Sequence, residues 1–177
     1  NGVYTIPYQM FGENIQIYAG VITGTVKVVA HDSYNAAPSG KDLVIVTTAK
    51  NKNAKYVLQS AGTEAIEMYY SEGLGGYAAF VSNNGTTITE QEVKDRLSVM
   101  EGETANTVIA HTADINGDGY VRSVDAMIVN DLYYNNRIGD TSDEMRIKAN
   151  YYNSDDAVDT SDIAAVLYTV VGRSFTK

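Results

Sequence analysis

DINGDGYVRSVD, residues 114–125, is the stretch of sequence from which the fold of this chain is best approached. Oxygen-bearing side chains stand at positions 1, 3 and 5, glycine at position 6 and a carboxylate at position 12, which is the spacing of a calcium-binding loop. Asp114, Asn116 and Asp118 would supply side-chain oxygens one after another. The Tyr120 carbonyl and Asp125, at the start of a helix, would complete the set. A surface turn rich in Asn, Asp and Gly is the alternative interpretation.

The stretch belongs to an internal repeat, because residues 114–135 align with residues 151–172. The second loop departs from the pattern at position 1, where it has Tyr151, and at position 6, where it has Asp156. We expect calcium at both loops, more weakly at the second, for which a metal-free loop held by side-chain hydrogen bonds is the alternative. The predicted ligands of the second loop are Asn153, Asp155, the Ala157 carbonyl, Asp159 and Asp162.

Each loop is followed by a predicted helix, one from Ser123 to about residue 136 and one from Thr160 to about residue 171. Ser123 and Thr160 are residue types that cap helix N-termini. Residues 143–149 can form a short helix that links the two units. Residues 107–111, ahead of the first loop, are few and β-branched, so the repeated unit is a loop followed by a helix.

Residues 1 to about 88 are predicted to be β-structure, because segments rich in β-branched and aromatic residues alternate there with turn residues. About seven short strands at this spacing favour a β-sandwich of immunoglobulin-like type. The segments are residues 3–8, 14–18, 21–30, 43–48, 55–58, 65–70 and 77–82.

A short helix is predicted to follow the strands, since Thr89 and Glu92 form a capping box. Val93, Leu97 and Met100 would then repeat along one face of that helix. The polar segment that comes next, residues 103–106, is the predicted boundary between two domains, residues 1–106 and residues 107–177.

Composition excludes several classes of function. The net charge of −9 argues against a nucleic-acid partner, which would require a basic surface. No apolar run is long enough to cross a bilayer, so no membrane insertion is expected. Cysteine is absent, which excludes disulfides and thiolate metal sites. No grouping of Ser, His and Asp typical of nucleophilic catalysis is visible, so we expect no catalytic residues and no enzyme.

Two calcium-loop-plus-helix repeats joined by a short helix resemble the dockerin modules of bacterial cellulosomes. The resemblance covers roughly residues 108–177. It rests on Asp at position 12 of each loop, on the second-repeat counterparts of the first-loop residues, and on Asp114, Asn116, Asp118, Gly119 and Asp125 themselves. A β-rich module directly before a dockerin is similar in arrangement to the X-modules that accompany some dockerins. The resemblance implies an all-α dockerin with two EF-hand-like repeats. Together with the immunoglobulin-like β-sandwich and short helix predicted for residues 1–106, this gives a mixed, two-module fold.

The resemblance also implies a function. Dockerins bind cohesin modules, so we expect an extracellular, non-catalytic assembly module that needs calcium. It would attach its parent protein to a cellulosome scaffoldin or to the bacterial cell surface, in the service of polysaccharide degradation. A calcium buffer or sensor of EF-hand type is one alternative. A carbohydrate-binding module in residues 1–106 is another, with Tyr69, Tyr70 and Tyr77 either stacking on sugar rings or packing inside the fold.

The face that meets the partner also follows from the resemblance. In dockerins, contacts come from loop positions 10 and 11 and from the outward side of the following helix. The two strips differ in chemistry in this chain, so we expect one binding orientation. The matching residues are Ser123, Val124, Met127, Ile128 and Asp131 in the first repeat, and Thr160, Ser161, Ala164, Leu167 and Tyr168 in the second.

Overall fold

The computed structural model describes residues 24–59, 62–134, 141–153 and 155–176. Of these, 24% are helical and 25% lie in strands, so neither type of structure dominates. The strands predicted at 3–8 and 14–18 lie outside the described residues. The elements are β1 Thr25–Val29, β2 Lys41–Thr47, β3 Ala54–Leu58, β4 Ile66–Glu67, β5 Tyr69–Ser71, β6 Gly76–Ser82, α1 Glu90–Arg96, β7 Leu97–Glu101, β8 Val108–Ile109, α2 Ser123–Tyr133, α3 Asp143–Lys148 and α4 Thr160–Val170.

The strands of the described ranges form two sheets. The larger sheet has the order β1-β2-β6-β5-β8, in which only the pair β5 and β8 is parallel. The smaller sheet has the order β4-β3-β7 and is antiparallel. The central strands β2 and β6 are buried along almost their whole length, as expected for strands that are covered on both faces.

The larger sheet separates two hydrophobic cores. Successive side chains of a strand point to opposite faces, and β2 supplies both cores in this way. Val44 and Val46 pack in a core shared with β3 and α1. Leu43 and Ile45 pack in a second core, which is shared with α2, α3 and α4. The three helices of the C-terminal part therefore lie on the face of the sheet opposite the smaller sheet.

The predicted fold class is wrong for the C-terminal part, which is not an all-α dockerin. Residues Val108–Ile109 form β8, an edge strand of the larger sheet, immediately before the first loop. The apolar faces of the helices join one core with residues of that sheet, so they do not form a separate core of their own. α2 and α4 also pack on each other, but two helices of 11 residues and one of 6 are short, and the sheet supplies the remaining apolar surface of the core. The division at residue 106 stays a prediction.

The predicted capping box of α1 is confirmed. The Thr89 hydroxyl accepts a bond from the Glu92 N–H at 3.2 Å, and the Glu92 carboxylate accepts one from the Thr89 N–H at 2.7 Å. The predicted continuation of this helix through Leu97 and Met100 is wrong, because Leu97–Glu101 forms β7 and pairs with β3 along five residues. The spacing of the apolar residues is compatible with a helix and with a strand, and the free edge of β3 stabilises the strand by pairing with it.

The single strand predicted at 65–70 is divided between the two sheets at Met68, which is fully buried. Asn106 holds the two sheets together at this point. Its side-chain amide donates to the carbonyls of Tyr56 and Met68 at 2.9 and 2.6 Å and accepts from the Tyr56 N–H at 2.7 Å. The last residue of the polar segment is thus 5% exposed, because its amide bonds as a strand backbone would.

Candidate metal centre and docking face

The carboxylate of Asp114, at position 1 of the first loop, organises the turn that follows it. It accepts three backbone bonds, from the N–H groups of Gly117, Asp118 and Gly119, at 2.9, 3.1 and 2.9 Å. Gly117 and Gly119 have φ angles of 73° and 86°, which a glycine adopts without the steric cost that a Cβ would add. The glycine at position 6 is therefore required by the backbone of this loop.

Asn116 and Asp118 continue the wrapping of the first loop. The Asn116 side-chain oxygen accepts from the Asp118 N–H at 3.0 Å, and the Asp118 carboxylate accepts from the Tyr120 N–H at 2.9 Å. The Arg122 guanidinium lies 4.0 Å from the Asp118 carboxylate and 4.3 Å from the centre of the Tyr120 ring. Arg122 at position 9 is thus folded back on the outside of the loop.

Asp125, at position 12, is completely buried and closes the first loop onto α2. One carboxylate oxygen accepts from the N–H groups of Ile115 and Asn116 at 2.9 and 3.2 Å, and the other accepts from Arg122 at 2.8 Å. The N-cap of α2 is therefore Arg122, and the prediction that Ser123 is the cap is wrong by one residue. The carboxylate of Asp125 does the capping from inside the helix.

The second loop repeats this framework in the same register. Asp162 is completely buried, and its carboxylate accepts from the N–H groups of Tyr152 and Asp159 at 2.8 and 2.7 Å. Burial raises the pKa of Asp162, and the N–H donors of Asp159 and Tyr152 oppose that rise. The N-cap of α4 is Asp159, so Thr160 is likewise one residue too late as a predicted cap. The predicted starts of α2 and α4 at residues 123 and 160 are confirmed.

Positions 3 to 7 of the second loop also match the first. The Asp155 carboxylate accepts from the Ala157 N–H at 3.0 Å and from the side-chain amide of Asn153 at 2.8 Å. These bonds correspond to those of Asp118 with Tyr120 and with Asn116. The correspondence of the two loops at positions 3, 5 and 7 therefore holds in three dimensions as well as in sequence.

The second loop differs at positions 1 and 6. Tyr151 has no carboxylate to organise the turn, and its ring stacks on His111 with ring centres 5.1 Å apart. Among the described residues, Asn84 is the one non-glycine residue with a positive φ, so Asp156 does not share the backbone conformation of Gly119. Its carboxylate pairs with the Lys27 ammonium, on β1.

The donor set of the first loop suits calcium in kind, since it consists of carboxylate, amide and carbonyl oxygens. In the part of the chain that the structure describes, no three His, Cys, Asp or Glu side chains come close enough to hold a metal ion. The oxygens of Asp114 and Asp125 are instead directed at backbone N–H groups. The Lys148 ammonium donates to the Asp114 carbonyl at 3.0 Å, which places one positive charge beside this acidic loop.

The predicted docking residues fall into three groups by exposure. Ser123, Val124, Met127, Thr160, Leu167 and Tyr168 are exposed. Ile128, Asp131 and Ala164 are half-buried, and Ile128 packs against the core. Ser161 is 4% exposed, so it does not belong to the surface. The exposed apolar side chains lie in the first half of α2 and the second half of α4.

Tyr168, the predicted aromatic anchor, has aromatic neighbours. The Phe175 ring lies edge-on to Tyr168, with ring centres 5.4 Å apart, and edge-on to Tyr152 at 4.9 Å. Tyr168 nevertheless keeps 43% of its surface exposed. The ring is therefore held in a defined orientation without being covered.

The tyrosines considered for sugar stacking are part of the core. Tyr77 is 1% exposed, and its ring stacks on Tyr56 with ring centres 3.8 Å apart. Tyr70 meets Tyr77 edge-on at 5.1 Å. Tyr69 is half-buried against the helical side of the sheet. Burial raises the pKa of Tyr56, Tyr69 and Tyr77, as is usual for phenols away from water.

No family model, no curated protein and no solved structure matches the chain. The resemblance to dockerins therefore rests on the loop residues, their spacing and the repeat. In the described ranges no helix combines the length and the apolar character needed to cross a membrane.

Proposed function

We propose that the chain is a non-catalytic assembly protein whose calcium-dependent helical face docks onto a cohesin-type partner. The helices carry this face on the larger sheet. The partner cohesin would belong to a scaffoldin or a cell-surface anchoring protein, which places the chain outside the bacterial cell. The chain would hold its parent protein within an assembly that degrades polysaccharides.

The observation that carries the proposal is the duplicated loop framework. Asp125 and Asp162 close their loops with equivalent bonds to position 2 and position 9, and both are completely buried. Both loops have oxygen side chains at positions 3 and 5, and the first loop adds a carboxylate at position 1. Acidic side chains this close in sequence repel one another, so a hard cation among them would stabilise the fold.

The exposed apolar side chains support docking. Met127 and Val171 keep 54% and 66% of their surface exposed, and Leu167 and Tyr168 lie beside Val171 in the chain. Exposed apolar patches on helices are typical of protein interfaces. Under the repeat alignment, exposed Val124 corresponds to buried Ser161. A half-turn that exchanges the helices would therefore present a different surface, which favours one docking orientation.

The alternatives have less support. EF-hand sensors respond to calcium by changing the angle between two helices that flank the loop. In this chain, the segment before the first loop is β8, fixed in the sheet by its pairing with β5. A carbohydrate-binding role in the N-terminal part would need exposed aromatic side chains, whereas Tyr77 is buried and Tyr69 and Tyr70 are half-buried.

The test is titration of the full chain against a panel of bacterial cohesin modules, in calcium and again with a chelator. We expect one or more members to bind in calcium and to be released by chelation. Failure of every cohesin to bind in calcium would contradict the proposal.

Surface variants then locate the face. Met127→Asp and Leu167→Asp should each weaken binding at least about tenfold, as expected for anchors in an interface. Met100→Asp is the matched control, because Met100 is an exposed methionine on β7, away from the three helices. Equal effects of Met127→Asp and Met100→Asp would contradict the assignment of the face.

A further inference from the structure

The second loop is held by a side chain from the β-rich part of the chain. The Asn35 amide donates to the Val158 carbonyl at 2.8 Å and accepts from the Val158 N–H at 3.0 Å. This pair of bonds is the one that a neighbouring strand backbone would make. Val158 stands at position 8 of the loop and is 1% exposed, so its backbone groups need partners from the protein.

Asn35 is itself fixed in place. It lies in a turn that follows β1, in which the Ser33 and Tyr34 N–H groups donate to the Ala30 carbonyl at 2.9 and 3.0 Å. The Tyr34 ring is completely buried, and its hydroxyl donates to the Arg146 carbonyl at 2.8 Å. Arg146 donates in return to the Ala36 carbonyl at 2.8 Å. The Asn35 side chain therefore loses little conformational entropy when its amide bonds to Val158.

A positive charge reaches the same loop from the same part of the chain. Lys27 on β1 pairs with Asp156 at position 6, and both side chains are about half-exposed, 50% and 52%. An ion pair of this exposure contributes little energy by itself. The pair does, however, orient the Asp156 carboxylate toward the Lys27 ammonium on β1.

The first loop is held in another way. Its turn is organised from within by the Asp114 carboxylate, which accepts the N–H groups of positions 4, 5 and 6. Gly119 supplies the left-handed backbone that this turn requires. The second loop has Tyr151 in place of Asp114 and has Asn35 and Lys27 in addition.

We propose that the second loop folds without a metal, because Asn35 fixes its backbone and Lys27 pairs with the carboxylate at position 6, so that the chain binds one calcium. The sequence alone favoured calcium at both loops. The part of this inference that concerns the first loop rests on the proposed function, whereas the part that concerns Asn35 does not. Asn35 and Lys27 are thus positioning residues for the half of the docking face that α4 carries.

The first experiment is a calorimetric titration of the calcium-stripped full chain with calcium chloride. We expect one equivalent of calcium for the wild type, none for Asp114→Ala and one for Asp155→Ala. Two equivalents in the wild type would overturn the inference. No binding at all would overturn the calcium part of the proposed function and would leave the second loop to be judged by the next experiment.

The second experiment measures amide hydrogen exchange in chelator for the wild type, Asn35→Ala and the exposed control Asn53→Ala. Asn35→Ala should speed exchange of the Val158 amide at least about tenfold and leave the Val121 amide, its counterpart, unchanged. If Asn35→Ala fails to fold, Asn35→Asp is used, which keeps the acceptor and removes the donor to the Val158 carbonyl. Asn35→Asp should then lower the unfolding midpoint equally in calcium and in chelator. Unchanged protection of Val158, or a midpoint loss confined to calcium, would overturn the inference.

Discussion

The two loops share one backbone framework and differ in what stabilises it. At position 12 both have a completely buried aspartate that accepts the N–H groups of positions 2 and 9. At positions 1 and 6 the first loop has Asp114 and Gly119, whereas the second has Tyr151 and Asp156. Position 12 therefore closes both loops in the same way, whereas positions 1 and 6 determine how the turn within each loop is stabilised.

The two loops also differ in how they are joined to the larger sheet. The first loop is joined to the sheet through the chain itself, by β8. The second loop is joined to it by side chains, through Asn35 and Lys27. A duplicated unit that packs on an asymmetric sheet meets different surroundings in each copy, so different residues stabilise the two copies.

The largest expected effect tests the shared framework. Asp125→Ala removes the acceptor of three backbone N–H groups, and an unsatisfied buried donor costs about 1–3 kcal/mol. We therefore expect the free energy of unfolding in chelator to fall by about 3 kcal/mol or more, measured by urea denaturation. Asp162→Ala should cost a similar amount, and the exposed Asp156→Ala is the control. A loss below about 1 kcal/mol for Asp125→Ala would contradict the framework.

The next effect separates the loops by their response to calcium. A ligand at 100 times its Kd stabilises a protein by about 2.7 kcal/mol, which raises Tm by roughly 5–10 °C in a chain of this size. Asp114→Ala should abolish most of this rise, and Asp155→Ala should keep most of it. The measurement is Tm in calcium and in chelator for each variant. Equal losses of the calcium-dependent rise would show that the loops are equivalent and would contradict the comparison.

A smaller effect tests position 6. No atom lies within 4 Å of a Cβ built on Gly119, but its φ is 86°, so Gly119→Ala should cost about 1 kcal/mol through backbone strain alone. Asp156→Ala should cost less than about 0.5 kcal/mol, since its ion pair is half-exposed. Urea denaturation in chelator measures both variants. The comparison fails if Asp156→Ala costs as much as Gly119→Ala.

The smallest effect concerns Asp42, which anchors the turn that carries Asn35. Burial alone would raise the pKa of Asp42, but bonds from the Asn83 amide, the Ile88 N–H and the His31 N–H outweigh it and hold the pKa below 3.8. A lowered folded-state pKa contributes stability above the unfolded value and loses it as pH falls through the folded value.

The free-energy difference between the wild type and Asp42→Asn should therefore be largest at pH 6 and shrink as pH falls below 3.8. We expect this pH-dependent part to be the smallest of these effects. Urea denaturation in calcium-free buffer between pH 6 and pH 3 measures it. A difference that grows on acidification would contradict the assigned direction.

Local signals predicted the helices well. The capping box of Thr89, the starts of α2 and α4 and the linking helix α3 all follow from residues within a few positions of one another. The hydrogen-bonded framework of the two loops was predictable for the same reason, because a twelve-residue loop depends on consecutive positions, whereas the role of these residues as calcium ligands stays a prediction. The cap of α2 was placed one residue late because its capping carboxylate, Asp125, lies inside the helix. The cap of α4 is the neighbouring Asp159, whose side chain accepts from the Ser161 N–H.

Contacts between distant segments were not predictable from the sequence. Leu97 and Met100 have helical spacing, but they lie in a strand because this segment pairs with the free edge of β3. Asn35 stands in an ordinary polar turn, and nothing near it in sequence indicates that it bonds to Val158. Asn106 was predicted to lie in a linker, because nothing near it in sequence indicates its bonds to Tyr56 and Met68. Side chains that replace a strand backbone leave no periodic pattern, so a single sequence gives no signal for them.

The position of the larger sheet between two cores has a consequence for producing the protein in pieces. Val29, Leu43 and Ile45 and, on β6, Phe80 are buried by the three helices that follow the first loop. A fragment that stops at residue 106 would expose this apolar face to solvent and would also lack β8, leaving β5 as an unprotected sheet edge. Such fragments are expected to self-associate and precipitate. Expression of the N-terminal part would therefore call for polar substitutions at Leu43, Ile45 and Phe80.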